Sequence, residues 1–234
     1  MKYLAWLKGV LEPRYTPPLV PAGNDRLHCD RMASYWGPRI RAFLDFDLQE
    51  YEVTCWLHNL DVSVSSKMPW SKTEPELRGL LAESPFDDEA RNRIVDAIKQ
   101  HAKFKDSPDD STILQALRIA DKVDKLDDAT MGIIGACAMR GVQVLAYDPV
   151  RPFNYASTEE SKLRSIYNDF FRQLEWYGML PSDEARALVS DDSMRFYVTF
   201  VRRFATFIAR ATGLTNESEG DIQKALGVYY SRFA

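Results

Sequence analysis

Apolar residues along this chain recur at spacings of three and four, which is the pattern of amphipathic helices. No segment alternates apolar and polar residues over the length that a half-buried strand needs. A short helix is expected at the N-terminus, and the loop that follows it at residues 13–23 contains four prolines, which cannot continue a helix. The pattern therefore predicts an all-α fold.

The first half of the chain is predicted to contain four further helices, each with a polar residue on its apolar stripe. Each begins at a capping residue or a proline, as helices commonly do. The first follows Asn24 or Asp25 and carries His28, the second runs from Pro38 to His58, the third opens at Ser84-Pro85 and carries His101, and the fourth follows residues 106–111 and carries Asp121. A carboxylate on an apolar stripe is costly unless it is paired or binds a metal, so Asp121 needs a partner.

The remaining segments differ in polarity. Residues 61–76 are polar, contain two prolines and are predicted to form a loop immediately after His58 and Asn59. A small, apolar segment at 129–147 is predicted to be a buried helix. Long amphipathic helices are expected after it, at 158–178, 182–190, 192–212 and 217–232.

These elements predict three parts of a single domain, since 234 residues suit one large domain. The parts are an N-terminal helix with its Pro-rich loop at 1–23, a helical core at 24–150, and a C-terminal helical extension at 151–234 packed on the core. Periodicity leaves two roles open for the long C-terminal helices, which could cover a pocket or form the surface of a homodimer.

Composition excludes several classes of function. The chain is 45% apolar with a formal net charge of −4, and its basic residues are interspersed with acidic ones. This is not the basic footprint of a protein that binds a nucleic acid polymer. The three cysteines show no paired spacing, no apolar run approaches the ~20 residues of a membrane span, and the N-terminus lacks a signal-peptide cleavage site. We expect a soluble, cytoplasmic protein with no membrane partner.

The candidate chemistry lies in the polar residues of the core helices. These include every histidine of the chain and two residues with side-chain oxygens: His28, His58, His101, Asn59 and Asp121. Two imidazoles and carboxylate oxygens suit a divalent ion such as Mn²⁺, Fe²⁺, Co²⁺, Ni²⁺ or Mg²⁺. Each residue alone is more typical of a satisfied core side chain, and Asp121 alone could cap a helix or pair with Arg118. Their joint order and spacing favours a metal site.

In this order the residues resemble the HD-domain superfamily of metal-dependent phosphohydrolases. The matching motifs are His28-x-x-Arg31, Leu57-His58-Asn59, Ala97-Ile98-Lys99-Gln100-His101 and Ala120-Asp121-Lys122-Val123-Asp124. The segment DATMGIIGACAMRG and the region around FFRQLEWYGML resemble one uncharacterised bacterial branch, so that the likeness covers roughly residues 24–210. It implies an HD-domain helical bundle with additional C-terminal helices, which hydrolyses a small phosphate ester or a nucleotide.

The resemblance also implies roles for these residues. His28, His58 and Asp121 would be metal ligands, and Asn59 would occupy the position of the fourth ligand. His101 matches a residue that binds a second metal in some branches and contacts the substrate phosphate in others.

Asn59 departs from the family pattern, which has an aspartate at this position. An amide oxygen can coordinate a cation but carries no charge, so a divalent ion should bind more weakly and an attacking water should be oriented less well.

Asp61 is the candidate that could replace the missing carboxylate. On a continuing helix it would point about 200° away from Asn59, whereas a helix that ends at Asn59 lets it swing back. The alternative is that Asp61 is a solvated loop residue without a role in the site. Asp61 and Asn59 are therefore the candidate catalytic residues.

Two basic side chains could contact a substrate phosphate. Arg31 lies one turn from His28, and Lys67 lies in the loop after Asn59. The alternatives are an ion pair with an acid for Arg31 and a solvated loop position for Lys67. Trp36 and Trp70 could line the mouth of a pocket or simply pack.

The sequence leaves two functions open. The first is a divalent-metal-dependent phosphohydrolase, weakened by Asn59, that acts on a small phosphorylated molecule or a nucleotide. The alternative is a catalytically inactive protein of the same fold that binds a nucleotide or a partner protein. A purely structural role is disfavoured because all three histidines occupy motif positions.

Overall fold

The structure, a computed structural model, describes residues 2–16, 19–20, 23–62, 68–102, 107, 109–127, 166–212 and 219–233. The secondary-structure elements in these ranges are helices, which confirms the predicted all-α class. The helix predicted at 129–147 lies outside the described residues, as do Lys67 and Cys137. Within the described part of the chain, no helix has the length and apolar character needed to cross a membrane.

The chain divides into two compact units. The first comprises Met1–Asp124 and Pro181–Ala185, and the second comprises Lys125–Leu180 and Arg186–Ala234. The packing of the C-terminal extension on the core as a single domain stays a prediction.

The helices are numbered here in chain order. From the N-terminus to residue 127 they are α1 (Lys2–Leu11), α2 (Arg26–Asp30), a π-helix (Arg31–Trp36), α3 (Gly37–Ile40), α4 (Leu48–Leu57), α5 (Trp70–Ala82), α6 (Asp88–Gln100) and α7 (Thr112–Asp127). The later helices are α8 (Ile166–Gly178), α9 (Asp183–Arg186), α10 (Asp191–Thr212) and α11 (Glu219–Phe233). These later helices agree with the prediction within a few residues, except that α9 is short and residues 158–165 lie outside the described part of the chain. Helix α11 is interrupted at Gly227, where φ is 53°.

Helix α4 is the centre of the first unit. It packs against α1, α2, the π-helix, α3 and α6. Most of its residues are buried, including Tyr51, Cys55 and Trp56, and a helix that is buried on nearly all sides belongs to the interior of a domain. The last turn of α4 therefore delivers His58 into the interior, as the sequence predicted.

The predicted helix from Pro38 to His58 is wrong in one respect, because the chain breaks it at residues 41–47. Asp47 has an extended backbone, with ψ of 117°, and its carboxylate accepts hydrogen bonds from the amides of Gln49 and Glu50. This is an N-cap, and it starts a separate helix α4. The apolar spacing continued through the break, so periodicity alone did not reveal it.

The loop predicted at 61–76 is wrong in its second half, because α5 begins at Trp70 and continues through Pro75. An interior proline costs a helix about 3 kcal/mol. Leu77 and Leu81 are almost fully buried, and burying each contributes about 1.5–3 kcal/mol, which offsets that cost. Tertiary burial therefore overrides the local signal.

Three predicted helix starts can be compared with the structure. The side chain of Asp25 caps α2 by accepting from the amides of Leu27 and His28, as predicted. The hydroxyl of Ser111 accepts from the amide of Leu114 at the start of α7, within the predicted turn. The third helix, α6, was predicted to open at Ser84-Pro85. In the structure its N-cap is Asp87, whose carboxylate caps the helix.

Candidate metal centre

His28 lies between two carboxylates. Its imidazole is fully buried in the first unit, one turn after the Asp25 cap. Its Nδ1 lies 2.7 Å from Oδ2 of Asp124, and its Nε2 lies 3.2 Å from Oδ1 of Asp121. Both acids are on α7, three residues apart and therefore on one face of that helix.

His58 presents an unprotonated nitrogen to the same place. Its Nδ1–H donates to the carbonyl of Cys55 at 2.7 Å, which makes Nε2 the lone-pair nitrogen. Among the described residues, this buried Nε2 has no hydrogen-bond partner. Burial, and then the neighbouring His28, lower the pKa of His58 well below its ordinary value. The ring is therefore neutral, which is the form that ligates metals.

These two histidines and Asp121 together form a group that could hold a metal ion. One ligand atom from each of His28, His58 and Asp121 lies within 4.8 Å of the other two. The ring centroids of the two histidines are 5.4 Å apart, and the Asp121 side chain is 25% exposed. Two imidazoles and one carboxylate suit a first-row divalent cation. The residues fit such an ion, because the buried Nε2 of His58 has no hydrogen-bond partner in the described part of the chain.

Asp124 supports the group and was not predicted to do so. Besides His28 Nδ1, its carboxylate accepts from Nε and Nη2 of Arg31, each at 2.8 Å, and from the indole N–H of Trp36 at 2.9 Å. Burial favours a raised pKa for this acid, but the hydrogen bonds from His28 and Arg31 outweigh it and lower the pKa of Asp124 below its ordinary value. A charged carboxylate behind a metal-ligating imidazole fixes the orientation of the ring.

One sequence signal could have identified Asp124. It follows Asp121 by three residues and lies on the same apolar stripe of α7, where a buried acid needs partners. The pairing of Arg31 with Asp124 is the ion pair with an acid that the sequence left open as its alternative role. A role for Arg31 in substrate binding stays a prediction.

Asn59 is brought next to the group by its position after His58. Its side chain is buried, and its amide N–H₂ lies 3.5 Å from the carbonyl oxygen of Asn24, the outer limit of a hydrogen bond. The Asn59 amide is uncharged. The negative charge among His28, His58 and Asp121 therefore comes from Asp121, and Asn59 adds none. Its roles as a ligand and as a catalytic residue stay predictions.

Asp61 lies outside the group of three ligand atoms. It is half-buried in the turn beyond α4, where its backbone carbonyl accepts from the amide of Met68. Its charge contributes, after burial and other neighbours, to the raised pKa of Tyr15. A catalytic role for Asp61 stays a prediction.

His101 also reaches the centre, from the end of α6. Its ring is half-buried, 5.5 Å from the ring of His58 and nearly perpendicular to it, and its Nδ1 lies 2.5 Å from the carbonyl of Ile98. It is not part of the group of three ligand atoms. All three histidines of the chain are nevertheless neighbours in the fold, as their order in the sequence suggested.

Arg118 links the helices that carry His101 and Asp121. Its buried guanidinium bonds the carboxylate of Asp110 at 2.5 Å and the carbonyl of Gln100 at 2.9 Å. The end of α6 is thereby tied to the start of α7. A pairing of Arg118 with Asp121 stays a prediction.

The fold has relatives among solved structures. It is similar to a Lactobacillus plantarum protein of known crystal structure, with a TM-score of 0.71 and 20% identity over 91% of this chain and 98% of that chain. It is also similar to Bacillus subtilis YpgQ, solved in complex with ADP, with a TM-score of 0.57 and 18% identity over 91% of this chain and 100% of that chain. At these identities the likeness shows a shared fold. At the level of sequence, no protein-family model and no curated protein matches the chain.

Proposed function

We propose that this chain is a divalent-metal-dependent phosphohydrolase of the HD type that acts on a nucleotide or another small phosphate ester. The observation that carries the proposal is the convergence of His28, His58 and Asp121. The Nε2 of the neutral His58 is buried there and has no hydrogen-bond partner among the residues that the structure describes. YpgQ, which has a similar fold, was solved with ADP, and this supports a nucleotide as the ligand class. The order of the His and Asp motifs along the chain supports the HD type.

The residues divide into ligands and supports. A divalent ion supplies Lewis acidity and positive charge for phosphoryl oxygens when it is bound at such a site. His28, His58 and Asp121 would hold it, and Asp124 orients His28 from behind. His101, beside His58, and Asn59, which follows it, would face the substrate side, with Asp61 as the candidate base.

Asn59 sets the expected strength of this site. With Asp121 as the acid of the group, the ligands carry one negative charge against two positive charges on the ion. We expect weaker metal binding and slower turnover than a site with a second carboxylate would give, because charge neutralisation is incomplete. The same observation favours the alternative, an inactive protein that binds a nucleotide.

Metal analysis and a nucleotide assay test the proposal. The purified protein is freed of metal, titrated with Mn²⁺ or Co²⁺, and assayed for phosphate or pyrophosphate release from nucleoside mono-, di- and triphosphates. We expect one tight equivalent of metal and metal-dependent release, both lost in His58→Ala and Asp121→Asn. Asp96→Asn, an exposed acid on α6, is the matched control. Metal and ADP binding without turnover would support the inactive alternative, and unchanged metal binding in the two site variants would refute the site.

A further inference from the structure

The helix that carries His28 changes its geometry three residues after His28. Helix α2 ends at Asp30, and residues Arg31–Trp36 form a π-helix before α3 continues. At its end the amide of Gly37 donates to the carbonyl of Met32, five residues earlier. Helices of this type are rare and concentrate at functional sites.

The π-helix has a consequence for two side chains. In an α-helix, which turns about 100° per residue, Arg31 and Trp36 would point about 140° apart. A helix closed by bonds over five residues turns less per residue, so five steps overshoot a full turn by less and the two side chains project closer to the same side. Both reach one oxygen of Asp124: Nε of Arg31 lies 2.8 Å and Nε1 of Trp36 lies 2.9 Å from Oδ1.

Helix α4 holds the π-helix in place. The hydroxyl of Tyr51 donates to the carbonyl of Met32 at 3.0 Å, so this carbonyl is bonded from within the helix and from α4. The Tyr51 ring also packs against Gly37, where an added Cβ would lie 2.7 Å from Cε1. The geometry around Asp124 is therefore locked by the same helix that delivers His58.

We propose that this π-helix is a positioning device of the metal centre, which sets Arg31 and Trp36 together on Asp124 so that Asp124 fixes the imidazole of His28. Each oxygen of Asp124 accepts two hydrogen bonds from described residues, which leaves the carboxylate little freedom to rotate. The Nε2 of His28 is thereby held toward Asp121. The inference rests on the metal site of the proposed function.

Two conservative variants test the inference. Trp36→Phe removes the indole N–H and keeps an aromatic ring, and Arg31→Lys keeps the charge but loses the bidentate fork. The matched controls are Trp6→Phe on α1 and Arg39→Lys, which is exposed on α3. Metal-free proteins are titrated with Co²⁺, and its visible spectrum is recorded. Loss of a residue that orients a metal-ligating histidine typically weakens affinity about 10- to 100-fold, and we expect this in both variants and in neither control.

A second readout does not require metal. The chain has three histidines, so long-range ¹H–¹⁵N spectra contain three imidazole systems, assigned with single His→Ala variants. In the metal-free wild type we expect the Nδ1–H of His28 to exchange slowly with water, because Asp124 accepts it in a buried site. In Trp36→Phe and Arg31→Lys it should exchange faster, while circular dichroism shows the helical fold to be intact.

The outcomes separate the two proposals. The positioning role would be overturned if the two variants bind Co²⁺ as tightly as the wild type and the His28 Nδ1–H still exchanges slowly with water. A wild type that binds no Co²⁺ would contradict the proposed function, and the exchange of the His28 proton then decides the positioning role by itself. Weaker Co²⁺ binding with faster exchange, in the two variants alone, would establish it.

Discussion

The Nδ1 atom of His28 lies 2.7 Å from Oδ2 of Asp124, across 96 residues of sequence. This contact joins the helix that follows the Pro-rich loop to α7, and it places one imidazole between two carboxylates of a single helix face. Asp121 faces the nitrogen that would bind metal, and Asp124 faces the other nitrogen. In the proposed site the two acids would therefore have different tasks, Asp121 as a ligand and Asp124 as a support for His28.

Removing Asp124 should destabilise the protein strongly. Asp124→Ala removes the carboxylate that accepts from the buried His28 Nδ1–H, from the Trp36 indole and from the Arg31 guanidinium. Breaking a buried ionic network by deleting one partner costs about 3–5 kcal/mol. Urea unfolding of the metal-free protein measures this, with the exposed Asp96→Ala as control. A loss below 1 kcal/mol would show that the network contributes little to folding.

Restoring a carboxylate at residue 59 should strengthen metal binding. Asn59→Asp adds a second negative charge beside His58, and we expect at least about tenfold tighter binding of Mn²⁺ or Co²⁺ by calorimetry. Without metal the variant should be less stable than the wild type, because the new charge is buried, and metal should reverse this. Equal or weaker metal affinity in Asn59→Asp would place this side chain away from the ion.

Two Gly→Ala substitutions should have opposite effects on stability. At Gly37 the new methyl group would lie 2.7 Å from the buried ring of Tyr51, and overpacking of this kind costs about 1–3 kcal/mol. At Gly79, in the exposed face of α5, an added Cβ would meet no atom of the described residues within 4 Å other than its chain neighbours and the backbone of its own helix. There the higher helix propensity of alanine should stabilise by up to about 1 kcal/mol. Thermal unfolding compares the pair, and equal melting temperatures would contradict the close approach of Tyr51.

Tyr3 should make stability depend on pH in the alkaline range. Burial, opposed by Arg91 and assisted by Glu83, raises the pKa of Tyr3 from 10.0 to about 12. Since the unfolded chain loses this proton first, the contribution of Tyr3 is complete below pH 10 and declines as the pH rises from 10 toward 12. Its hydroxyl donates to the carbonyl of Leu80 at 2.9 Å, so Tyr3→Phe should cost about 1 kcal/mol at pH 8. The difference between the two proteins in urea unfolding should shrink above pH 10, and a constant difference would contradict the raised pKa.

The helices were largely predictable, and their exceptions have identifiable causes. Asp25 and the segment before Thr112 act as helix starts because capping is a local interaction between a side chain and the next few amides. Pro75 misled the prediction because the burial of Leu77 and Leu81 is a property of the folded unit. The break before α4 was missed because its apolar residues keep a helical spacing on both sides of it.

The sequence by itself determined the helical class and the polar residues that each core helix turns inward, because both follow from spacings within one helix. It also determined the three histidines and Asp121 as the candidate centre. Only the tertiary structure decided that Asp124 supports His28 and that Arg31 and Trp36 meet on that carboxylate. It alone also decided that Nε2 of His58 is buried without a hydrogen-bond partner from the described ranges. These relations join residues from distant helices, and they depend on how α2, the π-helix, α4 and α7 pack rather than on any periodicity along the chain.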